Sequence, residues 1–379
     1  MAISLYIHFP FCSNLCDYCD FYKISFKSEQ ENKYYLALQT ELDLAVKSLK
    51  PEQRKLSTIY IGGGTPSLTN LNYLDNFINR VQKNFKLMND LEFSFEINPE
   101  SINKENLKQL KELGVNRPIF GMQSFNRPIL KILNRKHKLD DSFRAVYLAR
   151  SLGFNNFGID MIFGLPRQTG RKLSEDLNQL IELAPPHISY YQLTVEEKTP
   201  LARKVEQGKI KTPDNELSSA MYRAINLELM KYNYFRYEIS SWSKAGYECR
   251  HNINYWSGGD YLGLGPSAHS FIDNRRFANS PDLKLYLEKL SCNQRPLVFD
   301  DDSPQARMTE AIMLGLRTSD GINRSQFRKR FGMALGEALN GDSLHILKTA
   351  GLVEVGRTAI KLSESGFPLA DEIVRRLVK

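Results

Sequence analysis

The sequence predicts an α/β fold with a parallel sheet, followed by a smaller C-terminal domain. Two observations predict the sheet: six short apolar runs recur along the first 195 residues, and segments with helical periodicity lie between them. Alternating strands and helices favour parallel strands joined by helical crossovers. The length of 379 residues is enough for about two domains. Periodicity alone leaves a doubly wound sheet and a closed or partial barrel open.

The elements are predicted as follows. The strands cover residues 3–8, 58–61, 91–98, 117–122, 156–162 and 187–195, and the helices between them cover 29–49, 70–85, 104–113, 142–152 and 172–183. We divide the chain into a core at 1–200, an α/β extension at 201–302, with helical character over 201–232, and a C-terminal domain at 303–379. In the last domain, helical segments precede a hairpin at 352–362, which is the order of a winged-helix-like α+β domain.

Composition excludes several classes of protein. With 42% hydrophobic and 25% charged residues, the chain is typical of globular proteins rather than disordered or fibrous ones. No run reaches the roughly 18 apolar residues of a membrane span, and the N-terminus lacks the pattern of a signal peptide. We therefore expect a cytoplasmic protein. The net charge of +8 suits an acidic ligand or surface.

Polar side chains share one face of several predicted strands. Alternation places Glu96 opposite Phe95 and Ile97, and Asp160 likewise opposes its apolar neighbours. Tyr6 lies on the polar face of the first strand. Inward polar groups near the carboxyl ends of strands are typical of a barrel mouth, where barrel enzymes have their sites.

Three of the five cysteines fall within eight residues. Cys12, Cys16 and Cys19 have the spacing C-x3-C-x2-C directly after a strand. Thiolates this close can hold one [4Fe–4S] cluster and leave its fourth iron without a protein ligand. A zinc site is the alternative, and it would need a fourth ligand such as His8.

The cysteine motif, followed by an aromatic-acid-Phe run, resembles the radical S-adenosylmethionine (SAM) superfamily, in which SAM chelates the open iron. The glycine run Gly62-Gly63-Gly64-Thr65-Pro66 is similar to the loop that binds the SAM amino group. Glycines let a backbone approach a ligand closely and expose its N–H donors. The resemblance implies a partial (β/α)6 radical SAM barrel.

Three further segments resemble one branch of this superfamily, the oxygen-independent coproporphyrinogen III oxidases and the HemW family of heme chaperones. They begin at Gly121, Asp160 and Tyr191. Carried over position by position, the SAM contacts implied by the resemblance are Tyr6, Gly63, Gly64, Thr65, Glu96, Gln123, Arg135 and Asp160.

Features of the sequence distinguish the chaperones from the oxidases. The oxidase pattern has a further cysteine where this chain has Phe21, and an N-terminal extension where only eleven residues precede Cys12. The segment His251-Asn252-Ile253-Asn254-Tyr255-Trp256 is similar to the H-N-x-x-Y-W motif that is linked to heme binding in the chaperones. The imidazole can ligate heme iron. We therefore predict His251, Tyr255 and Trp256 as heme-binding residues.

The resemblance implies a heme chaperone with a [4Fe–4S] cluster and SAM that delivers heme to an acceptor, such as a membrane-associated respiratory protein. We expect no coproporphyrinogen oxidase activity, no catalytic residue of that reaction and no nucleic-acid partner. A peripheral location at the inner face of the membrane and a homodimer are further expectations. The alternative is an active radical SAM enzyme such as a coproporphyrinogen oxidase, and a DNA-binding regulator is a third, weaker reading.

Overall fold

The computed structural model describes residues 2–301 and 303–378, and the elements below are those of the described residues. The strands are β1 Ile3–Phe9, β2 Phe11–Cys12, β3 Ile24–Ser25, β4 Lys55–Gly63, β5 Lys86–Ile97, β6 Arg117–Gln123, β7 Gly158–Phe163, β8 His187–Gln192, β9 Phe235–Glu238, β10 Ser241–Ser243, β11 Tyr261–Leu264, β12 His269–Ile272, β13 Arg275–Asn279, β14 Leu297–Phe299, β15 Ile322–Asn323, β16 Val353–Val355 and β17 Ala359–Leu362.

The helices, again within the described ranges, alternate with these strands in the first half of the chain. They are α1 Ser28–Ser48, α2 Leu71–Asn84, α3 Lys104–Glu112, α4 Arg127–Ile132, α5 Leu139–Ser151, α6 Gly170–Leu183, α7 Pro200–Glu206, α8 Asn215–Lys231, α9 Arg250–Trp256, α10 Leu283–Ser291, α11 Pro304–Leu316, α12 Arg324–Phe331, α13 Leu335–Ala338, α14 Gly341–Thr349 and α15 Ala370–Leu377. The predicted strand–helix alternation is confirmed. The short helix α4 was not predicted.

Six parallel strands form the centre of the main sheet. They lie in the order β1-β4-β5-β6-β7-β8, and each pairs in parallel with the next. This is the order that successive right-handed helical crossovers produce. The predicted partial (β/α)6 barrel is therefore confirmed. The carboxyl ends of all six strands therefore lie at the same end of the sheet.

The helices cover the sheet with amphipathic faces. In α2 the side chains of Leu74, Phe77, Ile78 and Val81 are buried, a spacing that places them on one side of the helix. The Asn70 side chain accepts a hydrogen bond from the amide of Asn72 and caps the start of this helix. Among the described residues, no helix combines the length and the apolar character needed to cross a membrane.

The predicted extension adds strands to both edges of the same sheet. Strand β11 pairs in parallel with β1, and β12, β13 and β14 follow it in antiparallel order. At the other edge, β10 pairs with β8 and β9 pairs with β10. The boundaries at 200 and 302 remain predictions, although the strands of the extension continue the sheet of the core.

The C-terminal part has helices α11 to α15 and a small sheet in the order β15-β17-β16, which includes the predicted hairpin. Two predicted elements differ in detail. The helical stretch 201–232 is two helices, because the backbone turns at Gly208 with φ of +68° and Pro213 precedes α8. The strand at 187 ends at Gln192 rather than at 195.

Candidate functional site

The cysteine loop and the carboxyl ends of the central strands surround one cavity of about 380 Å³. Residues from the loop after β1 and from the sixth parallel strand both line it, so the sheet curves around this space as a barrel does. The predicted site residues in its wall are Cys12, Cys16, Cys19, Gly63, Gly64, Thr65, Glu96, Gln123, Arg135 and Asp160. Positions far apart in sequence thus meet at one barrel mouth.

Two of the three thiols have a polar neighbour from another strand or loop. The Thr65 hydroxyl donates to Sγ of Cys12 at 3.4 Å, and Nη1 of Arg135 lies 3.8 Å from Sγ of Cys16. Burial raises the pKa of the Cys12 thiol to about 11 and raises that of Cys19 as well. Coordination by a metal deprotonates such thiols, so their protonated state in the free protein does not prevent cluster binding.

Neighbouring segments hold the cysteine loop in place. The side chain of Asn14 donates to the carbonyl of Asn134, and the side chain of Asn134 donates to the carbonyl of Leu15 at 3.0 Å. The amide of Asp17 donates to the carbonyl of Leu133 at 3.2 Å. The loop is therefore fastened to the segment that follows α4 and that also carries Arg135.

Within residues 2–301 and 303–378, no group of three or more His, Cys, Asp and Glu side chains converges closely enough to hold a single metal ion. In an iron–sulfur cluster each thiolate binds a different iron, so the ligands of a cluster need not converge on one point. His8, the proposed fourth zinc ligand, is occupied elsewhere. Its Nδ1 bonds the Tyr6 hydroxyl at 3.0 Å and its Nε2 bonds the carbonyl of Tyr22 at 2.8 Å.

The glycine loop leaves no room for side chains. Gly63 has φ of +109°, and a Cβ atom there would lie 2.6 Å from the His8 ring. A Cβ on Gly64 would lie 2.6 Å from the carbonyl oxygen of Phe11. The expected exposed donors are absent at three positions, because the amides of Gly63, Gly64 and Thr65 bond Glu96, the Phe9 carbonyl and the Phe11 carbonyl. The loop therefore lets a ligand approach the backbone closely, but its three amides are not free to donate to that ligand.

Two half-buried carboxyl groups face the cavity, as strand alternation predicted. Glu96 accepts hydrogen bonds from the Tyr60 hydroxyl at 2.9 Å and from the Gly63 amide at 3.2 Å. Burial, together with the nearby Asp160, raises the pKa of Glu96 to about 7, and burial raises that of Asp160 to about 6. A cationic ligand would stabilise the charged form of both groups and lower both pKa values.

Unpartnered polar atoms in the wall also fit a polar ligand. Oδ1 of Asp160 and Nε of Arg135 are buried and have no hydrogen-bond partner. The other nitrogens of Arg135 bond Asn98 Oδ1 and the Gly121 carbonyl. Buried polar atoms are normally paired. These atoms are suited to the amino, carboxylate and hydroxyl groups of SAM, and the wall therefore fits the implied cofactor.

Gln123 and Tyr6 differ in their placement. Gln123 lines the cavity with φ of +68°, next to a register shift at the end of β6. Such irregularities re-aim side chains beside functional sites. Tyr6 does not line the cavity, because its hydroxyl is directed to His8. Its predicted contact with SAM is therefore not supported by the geometry.

Several lining residues were missed. Tyr60 lies on the same strand as the glycine loop, Asn98 follows Glu96 by two residues, and Tyr191 belongs to the sixth strand. Alternation along β5 extends from Glu96 to Asn98 and contained a signal for the latter. Lys23 also lines the cavity and donates to the carbonyl of Cys19. Nothing in its spacing identified it.

The role of His251 at heme iron stays a prediction, and the structure places its side chain against strand β4. The imidazole is 1% exposed, and both of its nitrogens are hydrogen-bonded, Nδ1 to the Thr58 hydroxyl and Nε2 to the Tyr255 hydroxyl, each at 2.7 Å. Burial lowers the pKa of His251 to about 3. Both nitrogens have protein partners in this arrangement, because the motif folds as a helix whose histidine faces the sheet.

The other two predicted heme residues lie apart from the large cavity. Tyr255 packs its ring on Tyr261 at 4.5 Å and lines a hollow of about 10 Å³, which is far too small for a porphyrin. Trp256, at the end of α9, is partly exposed. The structure thus brings the predicted cluster residues and most of the predicted SAM residues together, and it places the motif around His251 near the opposite end of the same strands.

Comparisons with known proteins agree with this architecture. The family model for the radical SAM superfamily matches residues 6–180, and that for the HemN C-terminal domain matches residues 302–369. The heme chaperone HemW of Bacillus subtilis (strain 168) is 35% identical over 372 residues, which are 98% of this chain and 97% of that protein. HemW of Mycobacterium tuberculosis (strain H37Rv) is 32% identical over 379 residues, covering 99% of this chain and 94% of that protein.

Among solved structures, coproporphyrinogen III oxidase (HemN) from Escherichia coli matches with a TM-score of 0.85. The match covers 99% of this chain and 89% of the oxidase at 24% sequence identity, so it shows the shared fold. The identity to curated relatives extends over nearly the whole chain, including the cysteine loop and the C-terminal part. The chain therefore belongs to the HemW family within the radical SAM superfamily.

Proposed function

We propose that this protein is a heme chaperone, which holds a [4Fe–4S] cluster on Cys12, Cys16 and Cys19, binds SAM beside it, and binds heme for transfer to an acceptor protein. One observation carries the proposal. Three cysteines and two half-buried carboxyl groups line a single cavity, in a chain 35% identical over 98% of its length to a curated heme chaperone.

When bound, the cluster supplies an iron without a cysteine ligand, which the amino and carboxylate groups of SAM can occupy. The residues of the chain provide the rest. Glu96 and Asp160 place negative charge where a sulfonium cation would be held, and their burial strengthens that attraction because the local dielectric is low. The Arg135 Nε offers a donor that no protein group uses.

The proposed heme site lies outside this cavity. Tyr255 and Trp256 are partly exposed, whereas His251 is buried. The net charge of +8 favours the anionic propionates of heme and an anionic membrane surface. A heme-accepting protein, a peripheral location at the inner face of the membrane and a homodimer belong to the same proposal.

An active coproporphyrinogen oxidase is the second candidate, since this chain shares the fold of that enzyme. At the position where the oxidase pattern has a further cysteine, this chain has Phe21, which lines the cavity and is 67% exposed. A phenyl ring there cannot exchange protons or electrons as a thiol can. This difference favours the chaperone.

One experiment separates the two candidates. The anaerobically reconstituted protein is titrated with heme and followed at the Soret band, while a parallel sample receives coproporphyrinogen III, SAM and a reductant. We expect heme binding and no decarboxylated porphyrinogen by chromatography, with Cys16→Ala as the cluster-free control. Decarboxylation that requires Cys16, together with absent heme binding, would instead establish the enzyme.

A further inference from the structure

Helix α9, which carries the His251 motif, is attached to the sheet at the end of the strands opposite the cavity. Glu92 on β5 accepts hydrogen bonds from the backbone amides of Arg250 at 3.0 Å and His251 at 2.9 Å. A carboxylate at this position satisfies free N–H groups in the first turn of the helix. Glu92 and Glu96 lie on the same face of β5, four residues apart. One strand face therefore connects α9 with the cavity.

The His251 side chain contacts two residues of strand β4, which pairs with β5. Its Nδ1 bonds the Thr58 hydroxyl at 2.7 Å, and its ring packs on that of Tyr60 with centroids 5.0 Å apart and planes inclined by 33°. The Tyr255 hydroxyl bonds Nε2 and fixes the ring from the other side. With both nitrogens bonded, the imidazole cannot rotate without breaking a buried hydrogen bond.

Tyr60 contacts both His251 and a residue of the cavity wall. Its hydroxyl donates to Oε1 of Glu96 at 2.9 Å, and Oε2 of the same carboxyl group accepts from the Gly63 amide at 3.2 Å. Tyr60 and Glu96 both line the cavity. A buried path of contacts therefore runs from His251 through Tyr60 to Glu96 and the glycine loop.

We propose that His251 is a positioning residue for the SAM cavity, which holds the Tyr60 phenol in place to donate to Glu96. This inference rests on the proposed SAM site. It gives the histidine of the motif a role inside the barrel that does not depend on heme. Removal of the imidazole should therefore change how the protein binds SAM.

The charge state of Glu96 provides a specific readout. The groups that face it are Tyr60 from β4, Tyr6 from β1, Asp160 from β7 and the Gly63 amide. The hydrogen bond from Tyr60 favours the charged carboxylate and opposes the effect of burial. When Tyr60 loses its support, the pKa of Glu96 rises further. As the pH is lowered, Glu96 then becomes neutral at a higher pH than in the wild type. SAM affinity falls from that higher pH downward, because a neutral carboxyl group attracts a cation less strongly than a carboxylate does.

The test measures the dissociation constant of SAM between pH 6 and 8.5 for the reconstituted wild type, His251→Ala and Tyr60→Phe. The matched control is His187→Ala. His187 is also a buried histidine bonded to a tyrosine hydroxyl, with Nε2 to Tyr237 at 2.8 Å, but it does not line the cavity. The titration of SAM itself is common to all variants, so each profile is compared with that of the wild type.

We expect the midpoint of the pH profile to rise by roughly 0.5–1 pH unit in both His251→Ala and Tyr60→Phe, with no further rise in the double variant. His187→Ala should keep the wild-type midpoint. If His251→Ala does not fold, His251→Asn, which keeps an amide near Thr58, replaces it.

The outcomes are distinguishable. A wild type that does not bind SAM overturns the proposed function and, with it, this inference. A wild type that binds SAM while the His251 variant keeps the wild-type midpoint overturns the inference alone.

Discussion

The hydroxyl of Thr65 lies 3.4 Å from the sulfur of Cys12, so the glycine loop after β4 and the cysteine loop after β1 meet at a hydrogen bond. The backbone repeats this contact, because the Thr65 amide donates to the carbonyl of Phe11 at 2.8 Å. The predicted cluster ligand Cys12 and the predicted SAM loop therefore lie side by side. Hydrogen bonds to cluster sulfurs also influence reduction potential.

Replacement of Cys16 by alanine should abolish the cluster. Anaerobic reconstitution of the wild type should yield about four irons per chain, and Cys16→Ala should retain at most a small fraction. Cys292→Ala is the control, since that cysteine is exposed and does not line the cavity. Iron and sulfide analysis decides the matter. Stoichiometric zinc without iron in the wild type would show that the zinc alternative was correct.

Replacement of Asp160 by asparagine should weaken SAM binding about ten- to a hundredfold, because a hydrogen bond to a charged group contributes roughly 1.5–3 kcal/mol. Calorimetry measures the affinity. Asp176→Asn is a matched control, because Asp176 is also buried, also has its pKa raised to about 6, and bonds Ser124 and Phe125 outside the cavity. Equal affinities for both variants would contradict the assignment of Asp160.

Asp176 should also make stability depend on pH. Burial raises its pKa from 3.8 to about 6 in the folded state. The folded protein therefore binds the proton more tightly, and the free energy of unfolding falls as pH rises from about 4 to about 6. Above that range the contribution of this group is constant.

Urea unfolding of Asp176→Asn and of the wild type at pH 5.0 and 7.5 measures this effect. The variant cannot titrate, so its stability relative to the wild type should increase by about 1 kcal/mol between these two pH values. A relative stability that is constant, or that falls with pH, would show that the folded state does not raise this pKa.

Replacement of Trp256 by alanine should weaken heme binding several-fold and leave the Soret position unchanged, because a partly exposed indole supplies apolar contact rather than a ligand to iron. A heme titration measures both quantities. Phe299→Ala is the control, since Phe299 is an exposed aromatic residue on β14, away from α9. Heme affinity that is equally lowered in both variants would indicate nonspecific adsorption to exposed aromatic rings.

Local patterns sufficed for much of the fold and for most of the site. Alternation along β5 and β7 predicted that Glu96 and Asp160 face inward, and both line the cavity. The cysteine spacing and the glycine run likewise identified their loops, since residues close in sequence must share a neighbourhood. These predictions succeeded because each depends on geometry within a single strand or turn.

Two site predictions depend on packing that no local pattern specifies. The sequence predicts a heme-binding segment around His251, and the structure turns this histidine towards Thr58 and Tyr60 on β4, nearly two hundred residues earlier in the chain. Tyr6 has the predicted parity, but its hydroxyl bonds His8 instead of lining the cavity. A short motif records which residue types are present and leaves open which of them become buried.

By itself, the sequence determined the strand–helix alternation, the inward polar faces and the cysteine and glycine loops, because these follow from periods and spacings along a local segment. Only the tertiary structure decided which of these features share a cavity and which partners occupy each polar atom. Hydrogen bonds such as Tyr60 to Glu96 and His251 to Thr58 join separate elements. They form because a buried polar group must find a partner, and the packing of the sheet and of α9 determines which partner lies within reach.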